Sequence, residues 1–282
     1  MTSQIWQKVG DLVLAPFRNK NLTGIVWKTN VTPSGNKLRK TCDLQLFPAR
    51  ISKSMIELIV KTSQYYLSDL GTIAKLVLPV DINSLPIKNL SQNINYAVKL
   101  PKLSQAQQEA FDKVSSCQKP VLLKGVTGSG KTEIYFHTIQ KQLNEGKQAL
   151  IMLPEIALSK QIIERFTNRF GFEPVIWNSR VTIAQKKKIL RGVLSGGVKV
   201  IIGARSSLFL PYKNLGCIVI DEEHDQSYKQ DQGILYHARD MAVLRRHIQK
   251  CQIVLVSATP SIESINNTRL GKYELIEIKD RF

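Results

Sequence analysis

The residues Gly125-Val126-Thr127-Gly128-Ser129-Gly130-Lys131-Thr132 fit the pattern G-x-x-x-x-G-K-[ST], and each residue type has a part in holding a phosphate chain. Glycines at 125, 128 and 130 let the backbone turn tightly, so that successive N–H groups converge on phosphate oxygens. Lys131 brings a point charge to the β- and γ-phosphates, and the Thr132 hydroxyl is a ligand for Mg²⁺. A helix starting there aims its positive dipole end at the anion. The expected ligands are therefore a nucleoside triphosphate and Mg²⁺, with the whole segment from Gly125 through Val126, Thr127, Gly128, Ser129 and Gly130 to Lys131 and Thr132 as the cradle.

A second set of chemical groups follows downstream. The apolar run Cys217-Ile218-Val219-Ile220 leads straight into Asp221-Glu222-Glu223-His224. A buried strand that delivers adjacent carboxylates is the other half of a nucleotide-hydrolysis site: Asp221 to hold Mg²⁺, Glu222 to polarise the attacking water. Acidic residues also favour helix N-termini on their own account. Paired with the phosphate loop, however, they point to catalysis. The expected catalytic residues are Lys131, Asp221 and Glu222. Ser257-Ala258-Thr259 closes another apolar run, Ile253–Val256, and carries no signal alone.

These groups need a scaffold. Val121-Leu122-Leu123 before the loop reads as a buried strand. After it, Tyr135, Ile139 and Leu143 recur at helical spacing and Gly146 marks the stop. Further strand candidates are Ala149–Leu153, Val198–Ile202, Cys217–Ile220 and Ile253–Val256, and Leu275, Ile276 and Ile278 suggest a last one. Helical stretches between several of them predict a parallel sheet with functional residues at the C-terminal strand ends. The fold class expected is α/β, a RecA-like parallel-sheet lobe over 103–282.

The N-terminal part has a different texture. Val9, Leu12 and Leu14 precede Pro16, Gly24-Ile25-Val26-Trp27 follows a polar turn, and Thr32-Pro33-Ser34-Gly35-Asn36 is a loop signal. Met55, Leu58, Ile59 and Tyr66 fit a helix capped by Ser54. Residues 1–80 thus form a small β-rich α+β unit. Residues 81–102, polar with Pro86 and Pro101, read as a linker.

Forty Lys and Arg against 22 Asp and Glu leave a formal charge of +18, which attracts polyanions and nucleic acid first among them. Arg18, Lys20, Lys28, Lys37, Arg39 and Lys40 are either phosphate contacts or a solvated face. Cys42, Cys117, Cys217 and Cys251 are scattered without a C-x-x-C pair, which predicts reduced thiols and no cysteine-held metal. No run of 18 apolar residues and no signal-peptide pattern occur, so the expectation is a cytoplasmic chain without a membrane partner.

Long matches identify a family. Leu153-Pro154-Glu155-Ile156-Ala157-Leu158, Asp221–Gln230, Tyr236-His237-Ala238-Arg239-Asp240 and Ser257–Ser264, together with the phosphate loop, resemble the first motor lobe of the primosomal protein N′ family. These are replication-restart helicases of superfamily 2. The resemblance implies ATP-driven 3′–5′ DNA translocation at abandoned forks, where the replicative helicase is reloaded. It implies forked and single-stranded DNA, primosome proteins and single-stranded-DNA-binding protein as partners. By matching position, Gln107 resembles the adenine-reading glutamine, although Ala106 stands where Glu is usual, and His224 belongs to the D-E-x-H nucleotide box. Residues 225–236 resemble the aromatic-rich loop that couples DNA occupancy to hydrolysis. There Tyr228 and Tyr236 would stack on bases and Lys229 and Arg239 lie near phosphates, with packing the other role open to both tyrosines. Gly203-Ala204-Arg205-Ser206 resembles a DNA-backbone motif, with Arg205 as the contact.

Val13–Phe17, Gly24–Val26 and Gln64-Tyr65-Tyr66 resemble the family's 3′-end DNA-binding domain, without its opening strand and with Arg18 in place of a glycine. The winged-helix domain has no room between 82 and 102. The family's zinc-binding cysteine clusters, second lobe and arginine fingers find no match here. The expectation is a chain that binds DNA well and ATP weakly and turns over slowly.

Overall fold

A computed structural model describes residues 8–17, 19–31, 50–80, 90–94, 100–157 and 160–279. The expected loop at Thr32–Asn36, Arg18, Lys37, Arg39, Lys40, Cys42, Pro86 and Leu158 lie outside the described residues.

The chain opens with strands β1 (Leu12–Phe17) and β2 (Lys20–Ile25), paired antiparallel. Helices α1 (Lys53–Tyr65) and α2 (Leu70–Val77) follow. The N-cap of α1 is Ser52, not Ser54. Its hydroxyl accepts from the Met55 N–H at 3.1 Å while its backbone is extended, the two properties a cap requires.

From Ser104 the chain alternates between strands and helices. In order these are α3 (Gln105–Ser116), β3 (Val121–Gly125), α4 (Lys131–Asn144), β4 (Gln148–Met152), α5 (Lys160–Phe170), β5 (Val175–Trp177), α6 (Ile183–Ser195), β6 (Val200–Gly203) and β7 (Leu215–Asp221). A short hairpin of β8 (Lys229–Gln230) and β9 (Tyr236–His237) follows, then α7 (Ala238–Gln249), β10 (Gln252–Ser257), α8 (Ile262–Arg269) and β11 (Glu274–Ile278). Seven strands form one sheet in the order β11-β3-β10-β7-β4-β6-β5, every pair parallel. β5 had no forecast in the sequence, because three residues are too few to show a period.

Alternation along the strands divides the interior in two. Leu123, Ile151, Val219 and Val256 face one cluster with Phe136, Phe166 and Phe170, whereas Leu122, Leu150, Ile218 and Leu255 face the other with α6 and α7. Met55, Leu58, Ile59, Ile73 and Val77 of α1 and α2 belong to that second cluster. Each fully buried aliphatic side chain contributes roughly 1.5–3 kcal/mol, so the small unit's helices are anchored on the lobe by its own core.

The stretch read as a linker is also anchored where it is described. Gln92 Oε1 accepts from the N–H groups of Lys199 (2.6 Å) and Val200 (2.9 Å), and its Nε2 donates to the Glu173 carbonyl at 2.7 Å. The side chain thus satisfies backbone groups ahead of β6 that would otherwise be orphaned.

Candidate functional site

The phosphate loop runs from the end of β3 to the start of α4. Gly128 and Gly130 have φ of 83° and 80°, a region only glycine enters at no steric cost. A Cβ on Gly130 would also collide with Gln107 Nε2. Gln107 therefore sits directly over the loop. It is fixed there by a reciprocal cap, Oε1 accepting from the Ser104 N–H while the Ser104 hydroxyl accepts from the Gln107 N–H.

A cavity of about 490 Å³ opens at this strand end. Its walls include Gln107, Gly130, Lys131, Thr132, Asp221 and Glu222, with Arg165 and Arg169 on a further side. Parallel pairing of β7 and β10, and of β10 and β3, brings the two halves together. Val256 pairs with both Asp221 and Leu123, so the acidic turn lies two strands from the phosphate loop. Of the expected nucleotide contacts, Thr127, Gly128, Gly130, Lys131, Thr132, Gln107 and Asp221 line the cavity; Gly125, Val126, Ser129 and His224 do not.

Lys131 Nζ donates to the carbonyls of Gly125 (2.6 Å) and Val126 (3.0 Å), which places the ammonium inside the curl of the loop. Burial lowers its pKa, against the opposite pull of Asp221 and Glu222. Burial, followed by the Glu222 charge, pushes the Asp221 carboxyl up to about 6, although the Tyr135 hydroxyl, the Glu222 N–H and Lys131 all favour its ionised form. A half-buried carboxylate beside a second one favours a cation nearby. Asp221 and the Thr132 hydroxyl are both hard oxygen donors. Among the described residues no group of three or more His, Cys, Asp or Glu could hold a metal by itself. That donor set fits Mg²⁺, which takes one or two carboxylates and leaves the rest of its shell to phosphate and water. Bound there, Mg²⁺ would neutralise charge on the β- and γ-oxygens.

Tyr135 is a functional neighbour that the sequence showed only as a helix-stripe residue. It stands one turn beyond Lys131 on α4, fully buried, and its hydroxyl donates to Asp221 Oδ2 at 3.1 Å. The signal that could have found it is its i+4 spacing from the loop lysine.

The acidic turn is held from several directions. Glu222 has φ of 49°, left-handed for a residue with a Cβ. His224 Nδ1 lies 2.8 Å from Ser257 Oγ, which joins the D-E-E-H box to S-A-T. Glu223, completely buried, accepts from Arg239 Nη1 (3.0 Å), the Ser261 N–H (2.7 Å), Ser261 Oγ (3.1 Å) and Ser264 Oγ (2.8 Å).

The loop at 225–236 differs from expectation. Tyr228 is 1% exposed, and its hydroxyl donates to the carbonyls of Asp221 (2.6 Å) and Met152 (3.0 Å). Tyr236 is 2% exposed and meets Phe209 edge to face at 5.1 Å. Neither ring offers a face to a base, and packing, the role left open for both tyrosines, is what their geometry shows. Arg239 is likewise buried and bonded to Glu223 at 3.0 Å. Arg205 Nη1 donates to the Ser227 (2.9 Å) and Lys229 (3.1 Å) carbonyls, so this guanidinium nitrogen braces the loop backbone. Lys229 remains exposed. The physical reason is shared: aromatic and guanidinium groups at the base of a long loop gain more from filling and pinning it than from standing in water.

Comparison with known proteins finds helicase relatives. Residues 104–268 match the DEAD/DEAH box helicase model, and residues 1–79 match the 3′ DNA-binding domain model of PriA. The replication restart protein PriA of Rickettsia felis is 59% identical over 274 residues, 97% of this chain and 42% of that protein. The PriA of Helicobacter pylori (strain J99) is 37% identical over the same shares. Among solved structures, RecG bound to a three-way DNA junction aligns with a TM-score of 0.48 at 24% identity, over 80% of this chain and 30% of that one. The chain spans less than half the length of the curated relatives it matches. With a helicase model covering well over half of its residues, and PriA-like sequence along nearly all of it, the chain belongs to the DEAD/DEAH box helicase family.

Proposed function

We propose that this chain is the ATP- and DNA-binding part of a cytoplasmic replication-restart helicase, one that moves 3′–5′ on DNA at stalled forks and promotes reloading of the replicative helicase. The observation that carries the reading is the shared cavity: Lys131, Thr132 and Gln107 from one side and Asp221 and Glu222 from the other line one space at the strand ends. Lys131 would hold the terminal phosphates, Asp221 and Thr132 would hold Mg²⁺, and Glu222 would orient the attacking water. Forked and single-stranded DNA would lie against the basic surface, with Lys229 at the exposed loop. Primosome proteins and single-stranded-DNA-binding protein are proposed as partners from the sequence resemblance to the primosomal protein N′ family. The small unit at 1–80, the connector at 81–102 and the lobe at 103–282 are the proposed divisions.

The test is Lys131→Ala, with a fluorescent ATP analogue and a forked oligonucleotide titrated separately. Loss of a buried charge-assisted hydrogen bond costs about 1.5–3 kcal/mol, or a roughly ten- to hundredfold weaker nucleotide affinity. DNA affinity should stay within about twofold. Equal loss of both affinities would refute separate sites. DNA-stimulated turnover near one per second would favour the motor reading over a module that only binds ATP and DNA.

A further inference from the structure

Six of the seven strands in the large sheet start one or two residues after a lysine. In sheet order these are Lys272 before β11, Lys119 before β3, Lys250 before β10, Lys213 before β7, Lys147 before β4 and Lys199 before β6, whereas β5 follows Glu173-Pro174. Because every strand pair is parallel, all of these lysines stand at the rim opposite the nucleotide cavity. Neighbouring strands lie about 4.8 Å apart, so the lysines form a staggered row about 24 Å long. Part of the row has local work. Lys147 Nζ binds Glu145 at 2.6 Å, and Lys199 and Lys213 donate to the Gly146 and Ser195 carbonyls at 3.3 Å, where α4 and α6 end. Lys272, Lys119 and Lys250 precede three adjacent strands and are exposed, and among the described residues none of their ammonium groups has such a partner.

Lys250 also occupies a position that favours glycine. Helices α4, α5, α6 and α8 are followed within two residues by Gly146, Gly171, Gly196 and Gly271, with φ of 73°, 71°, 80° and 65°. Helix α7 ends instead on Lys250, with φ of 55°. A residue with a Cβ is strained there, so a lysine at this place is less stable than the glycine used elsewhere in the chain.

We propose that this rim is a docking surface for the phosphate backbone of duplex DNA, at the opposite end of the sheet from the nucleotide and separate from the loop at 225–236. The inference rests on the functional reading above for the nature of the polyanion. A single strand is gripped by charge together with exposed rings on which its bases stack. The rings beside this row, Tyr212 and Tyr273, are only 3% and 9% exposed. Charge without a stacking surface suits a duplex, whose bases are already stacked and whose outward phosphates supply one charge per about 1.7 Å of axis.

Fluorescence anisotropy on the whole chain compares a blunt duplex with a single strand of the same length. The combined variant Lys119→Glu, Lys250→Glu and Lys272→Glu should weaken duplex binding about tenfold or more. It should also lower the slope of log affinity against log salt by about three, roughly one for each lost phosphate contact. Its affinities for the single strand and for a fluorescent ATP analogue should stay close to native. A control with Lys53, Lys160 and Lys188 changed to Glu carries the same net charge and should keep most of the duplex affinity. Lys250→Gly adds a readout of opposite sign, a higher urea midpoint with weaker duplex binding. An equal loss in the control, a loss of both DNA forms alike, or a duplex affinity that the rim variant keeps overturns the inference and leaves the functional reading standing. A native chain that binds neither DNA form overturns both.

Discussion

His224 Nδ1 and Ser257 Oγ meet at 2.8 Å, across strands β7 and β10. Two motifs far apart in sequence are thereby one hydrogen-bonded unit beside the cavity. Ser257 is fully buried and its hydroxyl also accepts from the Thr259 N–H at 3.0 Å. Ser257→Ala removes the shared partner of both groups, a loss of about 0.5–1.5 kcal/mol because both can turn to solvent. Urea unfolding should show a lower midpoint with an unchanged slope, and an unchanged midpoint would mean that the contact is idle.

Gly130 and Gly128 offer an internal comparison. Both have positive φ, but a Cβ on Gly130 runs into Gln107 whereas one on Gly128 meets nothing within 4 Å. Gly128→Ala should cost about 1–2 kcal/mol from backbone strain alone. Gly130→Ala should cost a similar amount in stability but weaken nucleotide binding further, because the Gln107 amide must shift off the loop. Thermal melts and nucleotide titration of the two variants decide the matter; equal losses of nucleotide affinity would remove Gln107 from the account.

Glu133 binds Arg165 at 3.0 Å and Arg169 at 3.1 Å at the side of the cavity. Burial alone would raise its pKa, but the hydrogen bonds and charges of Arg169 and Arg165 outweigh it and hold it below 4.5. The folded value is thus depressed. The stabilisation is complete above about 4.5 and is lost as pH falls through the folded value. Both arginines are more than a third exposed, so solvent screening limits the pair to about 1 kcal/mol or less. The stability gap between the native chain and Glu133→Gln, followed by urea unfolding from pH 7 downward, should shrink in the acid range. A gap that widens there would contradict the assignment.

With a formal charge of +18, DNA affinity should fall by about ten- to a thousandfold over a fourfold rise in salt. Fluorescence anisotropy at stepped salt measures the slope. A flat response would exclude a phosphate-contacting basic surface.

The phosphate loop, the D-E-E-H box and the apolar strand runs were legible in the chain itself. Their physics is local: glycine permits the turn at 128 and 130, and a continuous apolar run needs burial on both faces. The same local signal placed Gly146 as the stop of α4, where its φ is 73°. What the side chains at 223, 228, 236 and 239 do was decided only in three dimensions. An aromatic or arginine in a loop has the same composition whether it faces DNA or fills a gap, and only its neighbours set the balance between hydration and packing. Likewise, nothing in the period of α1 said which surface its apolar stripe would cover. The outer side of α7 claimed it: Met55, Leu58 and Ile59 join the cluster that α7 forms with the sheet, and the Thr62 hydroxyl reaches Met241 Sδ at 3.5 Å.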